Sequence, residues 1–446
     1  MAGRPSHHQT LMVLMNGESV GEWQFSPRAG HVFRYDAQWL TNPLRRPLSL
    51  SLPLEQGTER LTGPRVESFF DNLLPDSSQI RKRLSHKFSS GTRAMDLLEK
   101  IGRDCVGAVQ LLPPDVDPPN VRRIDAEPLT DAQVERILDR TITEPVPGIT
   151  EEEDLRISIA GAQEKTALLW HQNQWCRPLG TTPTTHILKL PLGEVGGMRA
   201  GFSTSVENEW LCAQLAREFE LPVAGCQIAT FGRYKVLVVE RFDRRLIDNT
   251  WWARLPQEDL CQASGLPSDK KYEDKGGPGM RAILGILRGS DTPEDDRQQF
   301  LSTQLLFWLL AAPDGHAKNF SLFLETRGRY KLTPLYDIMS AWPVIGNGPK
   351  QFQRQNAKLA MVVRTNNAHY GMATIQRRHW NEVAKANGVG ESFESVIQRF
   401  IAQAPIAIEA VARKLPAGFP QVVSDAIFAG IRAQVERLEQ QGRISG

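Results

Sequence analysis

The chain has few of the features that mark extracellular, zinc-binding or strongly nucleic-acid-binding proteins. Its 446 residues contain five cysteines (Cys105, Cys176, Cys212, Cys226 and Cys261) that are scattered and form no C-x-x-C pair. This pattern indicates reduced thiols rather than a disulfide framework or a zinc site. The formal net charge is only +2, so the charge of the whole chain does not indicate a nucleic-acid partner, although a local basic patch would be compatible with it.

Long apolar runs are also missing. The longest run falls well short of the roughly 20 residues that span a bilayer, and the N-terminal stretch has no apolar region of signal-peptide length. We therefore expect a cytoplasmic protein with no membrane partner. With 41% hydrophobic and 23% charged residues, the composition is that of an ordinary globular protein, and the length predicts two or three domains.

The patterning divides the chain into a mixed α/β half and a mostly helical half. Asn16-Gly17 follows an apolar strand and predicts a hairpin turn, and alternating Leu and Ser over residues 46–54 predict a half-buried strand. Thr130 with Gln133 predicts a capped helix start. A Pro- and Asp-rich stretch at residues 113–119 interrupts all periodicity and favours a domain boundary or a loop close to one.

The most informative stretch is D-G-H-A-K-N at residues 314–319, which follows a long apolar run. An acid, a Gly, and cation-capable and amide side chains do not build a core, but they are typical of loops that handle phosphate and metal. Asp314 and Asn319 have the separation of the catalytic Asp and the metal-binding Asn in a protein-kinase catalytic loop. Asp and Asn at this separation are common by chance, so the hypothesis depends on the motifs around them.

Upstream, three tiny residues lie between two strand-like segments: Ala160, Gly161 and Ala162. They would let the backbone approach a ligand closely, and the exposed N–H groups of such a turn suit phosphate oxygens. The motif is not G-x-G-x-x-G, so an ordinary β-turn is the alternative interpretation.

Lys189 lies in an apolar strand after this loop, like the kinase lysine that contacts nucleotide phosphates. A lysine of an edge strand that extends to water is the alternative. Glu207 and Glu209 open the next helix, and either could pair with Lys189, although helix N-termini favour acids in any case.

Two further positions complete the order of motifs found in kinases. An apolar strand ending at Glu240 runs into a polar connector, where backbone groups of Glu240 and Phe242 would contact adenine; a simple strand end is the alternative. A short predicted strand ends at Asp337, which with Asn319 would supply oxygen ligands for Mg²⁺. Asp314 would then accept the proton of the attacking hydroxyl, and these parts are what phosphoryl transfer requires.

Several long strings resemble those of the HipA family, the serine/threonine-protein kinase toxins of bacterial type II toxin–antitoxin pairs. The resemblance covers nearly the whole chain. The strings are RPLSLSLP, FFDNLLPDS, IGRDCVGAV, RISIAGAQEKTALL, PTTHILKLP, VERFDRR, RLPQEDLCQ, DGHAKNFS and LTPLYDI.

The resemblance implies an α+β, protein-kinase-like, two-lobed fold with three regions. These are a β-rich N-terminal subdomain (1–125), a region like a kinase N-lobe (126–250) and a helical C-lobe with the catalytic loop (251–446). It also implies ATP and Mg²⁺ as cofactors. Asp314 would be catalytic, and Asn319 and Asp337 would hold the metal. The implied ATP contacts are Ala160, Gly161, Ala162, Gln163, Glu164, Lys165, Lys189, Glu240, Arg241, Phe242, His316, Ala317, Lys318, Asn319, Tyr336 and Asp337.

Regulation and partners are implied in the same way. Ser158 would be an autophosphorylation site whose modification ejects the loop and switches the kinase off. The target would be glutamate–tRNA ligase, whose inhibition stalls translation and favours dormancy. A HipB-like antitoxin dimer and operator DNA would be the partners, with Arg377, Arg378 and His379 near the DNA. A solvated loop is the alternative for that basic cluster.

The sequence departs from typical protein kinases at two motifs. It has neither H-R-D nor D-F-G, since the loop begins Pro313-Asp314 and the distal Asp lies in Tyr336-Asp337-Ile338. The reaction chemistry should carry over, but the logic of a kinase activation loop should not. A non-catalytic operator corepressor and a small-molecule phosphotransferase are the competing functional hypotheses.

Overall fold

The structure, a computed structural model, describes residues 9–54, 60–117, 120–143, 158–161, 163–195, 200–201, 203–346, 348, 351 and 353–444. Helices and antiparallel sheets are mixed along the chain, so the fold is α+β as predicted. In these ranges, none of the helices has the length and apolar character needed to cross a membrane.

The N-terminal part is built on a five-stranded antiparallel sheet in the order β4-β3-β2-β1-β5. Asn16 and Gly17 have φ values of 50° and 80°, as the predicted hairpin turn between β1 and β2 requires. The helices pack on the sheet around fully buried Trp23, Phe33 and Phe70. The elements are β1 Gln9–Met15, β2 Glu18–Ser26, β3 Gly30–Tyr35, α1 Ala37–Thr41, β4 Arg60–Thr62, α2 Pro64–Asp71, α3 Ser78–Lys87, α4 Ala94–Ile101 and β5 Val109–Leu112.

The prediction of a strand at residues 46–54 is wrong. Ser49 and Leu52 form only an isolated bridge around a turn. The Ser51 hydroxyl donates to the Gln262 carbonyl oxygen at 2.7 Å, and the Ser49 hydroxyl donates to Glu258 Oε2. Serine side chains that bond to backbone groups favour turns over strands, and here they attach the N-terminal part to the C-terminal part.

A six-stranded sheet in the order β12-β13-β9-β7-β8-β6 forms the second part. Thr130 and Gln133 form the predicted capping box at the start of α5. Helix α6 packs on β12 and β13. The elements are β6 Ala126–Pro128, α5 Asp131–Ile142, β7 Lys165–His171, β8 Gln174–Pro178, β9 His186–Lys189, β10 Glu194–Val195, β11 Ala200–Gly201, α6 Ser205–Glu218, β12 Cys226–Phe231, β13 Tyr234–Glu240, β14 Arg244–Ile247 and β15 Trp251–Arg254.

The C-terminal part packs around one helix, α9, whose last turns from Phe300 to Leu310 are buried on all sides. Helix α12 crosses it, and α8 packs beside it. The elements are β16 Gln257–Asp259, α7 Leu260–Ala263, α8 Met280–Leu287, α9 Pro293–Leu310, β17 Ser321–Leu324, β18 Tyr330–Leu332, β19 Lys358–Arg364, β20 Ala368–Gly371, α10 Arg377–Ala386, α11 Glu394–Ala412 and α12 Gln421–Ile444.

The end of α9 explains Pro313, for which the kinase pattern offers no reason. The helix closes with Ala311 in the left-handed region at φ 48°, and a proline two residues later cannot continue a helix. Gly315 is required by packing, because a Cβ there would lie 2.3 Å from the Phe307 ring. The catalytic-loop motif is therefore held directly against the buried last turns of α9.

Candidate active site

A buried ion-pair network brings three of the sequence motifs together. Nζ of Lys189, at the end of β9, donates to Glu209 Oε1 at 2.6 Å and to Asp337 Oδ1 at 2.8 Å. Burial disfavours the ammonium, but the two carboxylates outweigh it and raise the pKa of Lys189 above its ordinary value. The helix partner is Glu209 rather than Glu207, which instead accepts from Lys235 at 2.7 Å.

Asp337 is the member of this network that reaches solvent. Its side chain is 29% exposed, against 7% for Lys189 and 6% for Glu209. Burial opposes its charge, but Lys189 and Lys165 lower the pKa of Asp337 below the ordinary value, so the carboxylate is ionised. Its backbone has φ 60°, a left-handed conformation that Asp tolerates better than most residues.

The predicted phosphate loop lies beside Lys189. Lys165 pairs with Lys189 in the register of β7 and β9, and its Nζ lies so close to Gly161 that a Cβ there would be 2.5 Å away. Burial and the charge of Lys189 lower the pKa of Lys165 to about 8. Gln163 Nε2 donates to the Leu190 carbonyl oxygen at 2.5 Å, which fixes the loop to the end of β9.

Other loop positions have different surroundings. Ala160 and Gly161 precede a position, Ala162, that lies outside the described residues. Glu164 forms an ion pair with Arg83 of the N-terminal part. Lys165 at the end of the loop and Lys189 at the end of β9 therefore lie together at one end of the sheet, an arrangement that favours binding of an anionic group.

The catalytic-loop motif folds as a compact turn with Asp314 at its surface. Asn319 Nδ2 donates to the Asp314 carbonyl oxygen at 2.7 Å, which closes the loop. The Asp314 side chain is 41% exposed, and His316 Nε2 lies 3.6 Å from its Oδ1. Burial lowers the pKa of His316, so the imidazole is neutral at physiological pH. Ala317 is fully buried.

The pattern did not single out Tyr272, whose hydroxyl donates to Asp314 Oδ1. Its ring meets that of His316 edge-on, with centroids 4.9 Å apart. Tyr272 lies outside every kinase motif, so only the fold reveals that it orients Asp314.

Lys318 turns away from Asp314. Its Nζ donates to Asp259 Oδ2 and Asn72 Oδ1, both at 2.8 Å, and to the Asn72 carbonyl oxygen at 3.1 Å. These three bonds use all three of its donors. The Tyr336 hydroxyl donates to the Lys318 carbonyl oxygen at 2.8 Å. Both side chains brace the loop, and their assignment as nucleotide contacts stays a prediction.

The Arg241 side chain does not face the cleft. It is 6% exposed, and its guanidinium pairs with Asp243 at 2.9 Å and Asp104 at 3.1 Å. Because acids of the surrounding core already bind this guanidinium, a nucleotide contact of Arg241 would have to come from its backbone, and the contact stays a prediction. The Glu240 amide donates to the Gly225 carbonyl oxygen at 2.8 Å, and the Phe242 ring lies 5.8 Å from that of Tyr336. The hinge role of Glu240 and Phe242 stays a prediction.

Ser158 is fully buried. Its hydroxyl donates to the Leu73 carbonyl oxygen at 2.7 Å, and its amide donates to the Asp104 carbonyl oxygen at 3.1 Å. In this arrangement no other molecule can reach the hydroxyl, so its phosphorylation would require the loop to leave its place.

The basic cluster predicted near DNA is mostly internal. Arg377 is 6% exposed, pairs with Glu394 and donates to the Leu438 carbonyl oxygen at 2.8 Å. His379 is 4% exposed and stacks on His369 with ring centroids 4.0 Å apart. Both of these side chains are packed inside, whereas Arg378 is exposed, and DNA contacts by all three residues stay predictions.

Asn319 and Asp337 fit a magnesium site only in part. Because Asn319 Nδ2 is used within the loop, its Oδ1 is the group left for a cation, and Asp337 is ionised. Within the described ranges, no group of three or more His, Cys, Asp or Glu side chains could hold a metal by itself. Two protein oxygens suit Mg²⁺, which takes its remaining ligands from phosphates and water.

Comparison with known proteins identifies the family. The family model for the HipA-like C-terminal domain matches residues 157–408, and that for the HipA N-terminal domain matches residues 11–112. The chain belongs to the HipA family.

Two relatives support this assignment. A Sinorhizobium fredii protein named "Putative kinase Y4mE" is 32% identical over 91% of this chain and 92% of its own. The "Serine/threonine-protein kinase toxin HipA" of Shewanella oneidensis is 30% identical over 74% of this chain and 75% of its own.

A solved structure shows the same fold. It is described as the Shewanella oneidensis toxin–antitoxin system HipA, HipB and its operator DNA complex, and it covers 96% of this chain and 97% of the matched chain. The TM-score is 0.76 at 24% sequence identity. The HipA fold thus extends over nearly the whole chain, with the kinase-like sheet and helical part meeting at Lys189, Asp314 and Asp337.

Proposed function

We propose that this HipA-family chain is a serine/threonine protein kinase that transfers the γ-phosphoryl group of ATP to a protein hydroxyl. The observation that carries the proposal is the convergence of Lys189, Glu209 and Asp337 beside the Asp314–Asn319 loop. Positioning and charge neutralisation supply most of the catalysis of phosphoryl transfer, and this arrangement offers both. The names of the relatives as kinases support the same conclusion.

Each residue has a definite task in this mechanism. Lys189, held by Glu209, and Lys165 bind phosphate oxygens at the end of the sheet. Asn319 and Asp337 would hold Mg²⁺, which supplies charge neutralisation on the phosphates when bound. Asp314, oriented by Tyr272, accepts the proton of the attacking hydroxyl as the new bond to the γ-phosphorus forms and the bond to the bridging oxygen of the departing ADP breaks.

The biological role proposed is that of a toxin. Phosphorylation of glutamate–tRNA ligase would inhibit translation and promote growth arrest and persistence, and modification of Ser158 would inactivate the kinase. With a HipB-like antitoxin dimer the chain would act as corepressor on operator DNA. The description of the Shewanella oneidensis complex supports the antitoxin and DNA partners, and the burial of Ser158 supports a modification that displaces the loop.

The test is transfer of label from γ-labelled ATP in the presence of Mg²⁺ or of a chelator. Label in a protein fraction, including the chain itself, and its loss with the chelator are the expected results. Label confined to small molecules would contradict the proposal in favour of a small-molecule phosphotransferase. Repression by the antitoxin with and without this chain tests the corepressor role separately, and equal operator affinity would exclude it.

A further inference from the structure

The phosphate loop is held by the N-terminal part of the molecule. The Leu73 carbonyl oxygen accepts from the Ser158 hydroxyl at 2.7 Å. The Asp76 amide donates to the Gly161 carbonyl oxygen at 3.0 Å. Leu73 precedes Ser158 by 85 residues, so the contacts join separate parts of the fold.

One side-chain ion pair completes this attachment. Arg83, in the middle of α3, pairs with Glu164 at the end of the loop, and their side chains are 23% and 29% exposed. The neighbouring Lys82 on the same helix is exposed. A half-buried pair is screened less by salt than one at the surface, so Arg83 contributes more than a surface charge.

Asp76 also contacts the catalytic side of the cleft. Its Oδ2 lies 2.9 Å from Lys271 Nζ, and its Oδ1 lies 3.9 Å from Lys318 Nζ. The Lys271 carbonyl oxygen accepts from the Ala317 amide at 3.1 Å. One residue of the N-terminal part therefore touches both the phosphate loop and the residues that support the catalytic loop.

We infer that Leu73, Asp76 and Arg83 form a loop latch that holds the phosphate loop in place, with Arg83 as its positioning residue. Apart from the bond of Gln163 to the Leu190 carbonyl oxygen, the first loop residues, Ala160 and Gly161, have no polar side chain that could hold them, so the latch helps to set the fraction of molecules with the loop in place. If only that fraction binds ATP, the apparent affinity falls in proportion when the latch opens. This consequence for ATP rests on the proposed function, whereas the latch does not.

The direct test is hydrogen–deuterium exchange of the full chain without nucleotide, read on peptides covering residues 70–80 and 158–165. Arg83→Ala should accelerate exchange in both peptides by about fivefold, the size expected for loss of one ion pair. Lys82→Ala is the matched control and should leave exchange unchanged. Unchanged exchange in Arg83→Ala, or equal acceleration in both variants, would overturn the latch.

Three more variants keep the test decisive if Arg83→Ala folds poorly. Arg83→Lys should retain slow exchange, and the charge swap Arg83→Glu with Glu164→Arg should restore it relative to Arg83→Glu alone. Failure of the swap to restore slow exchange would mean that the pair does not hold the loop.

Kinetics then separate positioning from general stability. Because only the fraction of molecules with the loop in place binds ATP, Arg83→Ala should raise the KM for ATP by at most about the fivefold factor seen in exchange, and it should change kcat by less than about twofold. A kcat that falls while the KM stays unchanged would overturn the positioning role. If the wild-type chain transfers no phosphate at all, the proposed function fails, while the exchange experiment still decides the latch.

Discussion

Two clusters of buried charge in the described part of the molecule can be compared, and only one of them has the features of a site. The cleft network consists of Lys165, Lys189, Glu209 and Asp337. The arginine network consists of Asp104, Arg241, Asp243, Arg244 and Arg254. Both are dense in ion pairs, but every side chain in the arginine network is 8% exposed or less, whereas Asp337 in the cleft network is 29% exposed.

In the arginine network, the charged side chains bind one another. Asp104 Oδ1 accepts from Arg244 at 2.9 Å and from Arg254 at 3.1 Å, while its Oδ2 accepts from Arg241 at 3.1 Å. Burial opposes the charge of Asp104, but the three guanidinium groups lower its pKa below the ordinary value. The cluster joins the N-terminal part to the rest of the chain. Buried charge alone therefore does not identify a site; a reachable carboxylate beside a loop of small residues does.

The largest effect is expected at the reachable end of the cleft network. Asp337→Asn removes a proposed metal ligand and a partner of Lys189 while Glu209 remains, so label transfer from ATP should fall by roughly 10²-fold or more. Initial rates at saturating ATP measure this. Rates within a few-fold of wild type would show that the cleft network is structural like the arginine network.

The opposite outcome is expected for Asp104→Asn. Three arginines lose a shared anion in the interior, and breaking a buried charge pair costs about 3–5 kcal/mol of unfolding free energy. Denaturant titration measures the loss, and the activity per folded molecule should stay near that of wild type. Lost activity in a variant of undiminished stability would erase the distinction between the two networks.

Glu258 is a third kind of buried ionisable group, because its partners are the Ser49 hydroxyl and the Leu50 amide rather than a cation. Burial raises the pKa of Glu258 from 4.5 to about 8. The folded chain therefore keeps a proton that the unfolded chain loses, so this stabilisation is full below pH 4.5 and is lost as the pH rises to about 8.

The slope of unfolding free energy against pH tests this. Glu258 should contribute a decline of at most about 1.4 kcal/mol per pH unit in that window. Glu258→Gln should remove this contribution, as denaturant titrations at several pH values would show. Identical slopes for the two proteins would mean that Glu258 is ionised in the folded chain.

The smallest expected effects are losses of stability, and they distinguish Arg377 from its neighbour Arg378 in the basic cluster. Arg377→Ala removes a buried ion pair and should cost about 1–3 kcal/mol, whereas exposed Arg378→Ala should change stability by less than about 0.5 kcal/mol. Thermal unfolding of the two variants measures the difference. A large loss for Arg378 alone would reverse the assignment of which arginine is internal.

The sequence predicted the order of the motifs better than the direction of their side chains. Lys189 and Asp337 could be placed because a kinase-like order requires a strand lysine and a distal acid, and the structure brings them within 2.8 Å. Lys318 and Arg241 lie inside the same motifs, yet their partners, Asn72 and Asp104, come from the N-terminal part. Tyr272 carries no motif, so its contact with Asp314 emerges only from the packing of distant segments.

The most direct test of phosphoryl transfer at this cleft is Asp314→Asn, measured for label transfer and for unfolding free energy on the same preparation. The side chain is 41% exposed, so the fold should tolerate the change, while loss of the proton acceptor should lower transfer by roughly 10²–10⁴-fold. Transfer lost with stability retained is the predicted result. Transfer at the wild-type rate in the folded variant would contradict the assignment of Asp314 and of the cleft around it.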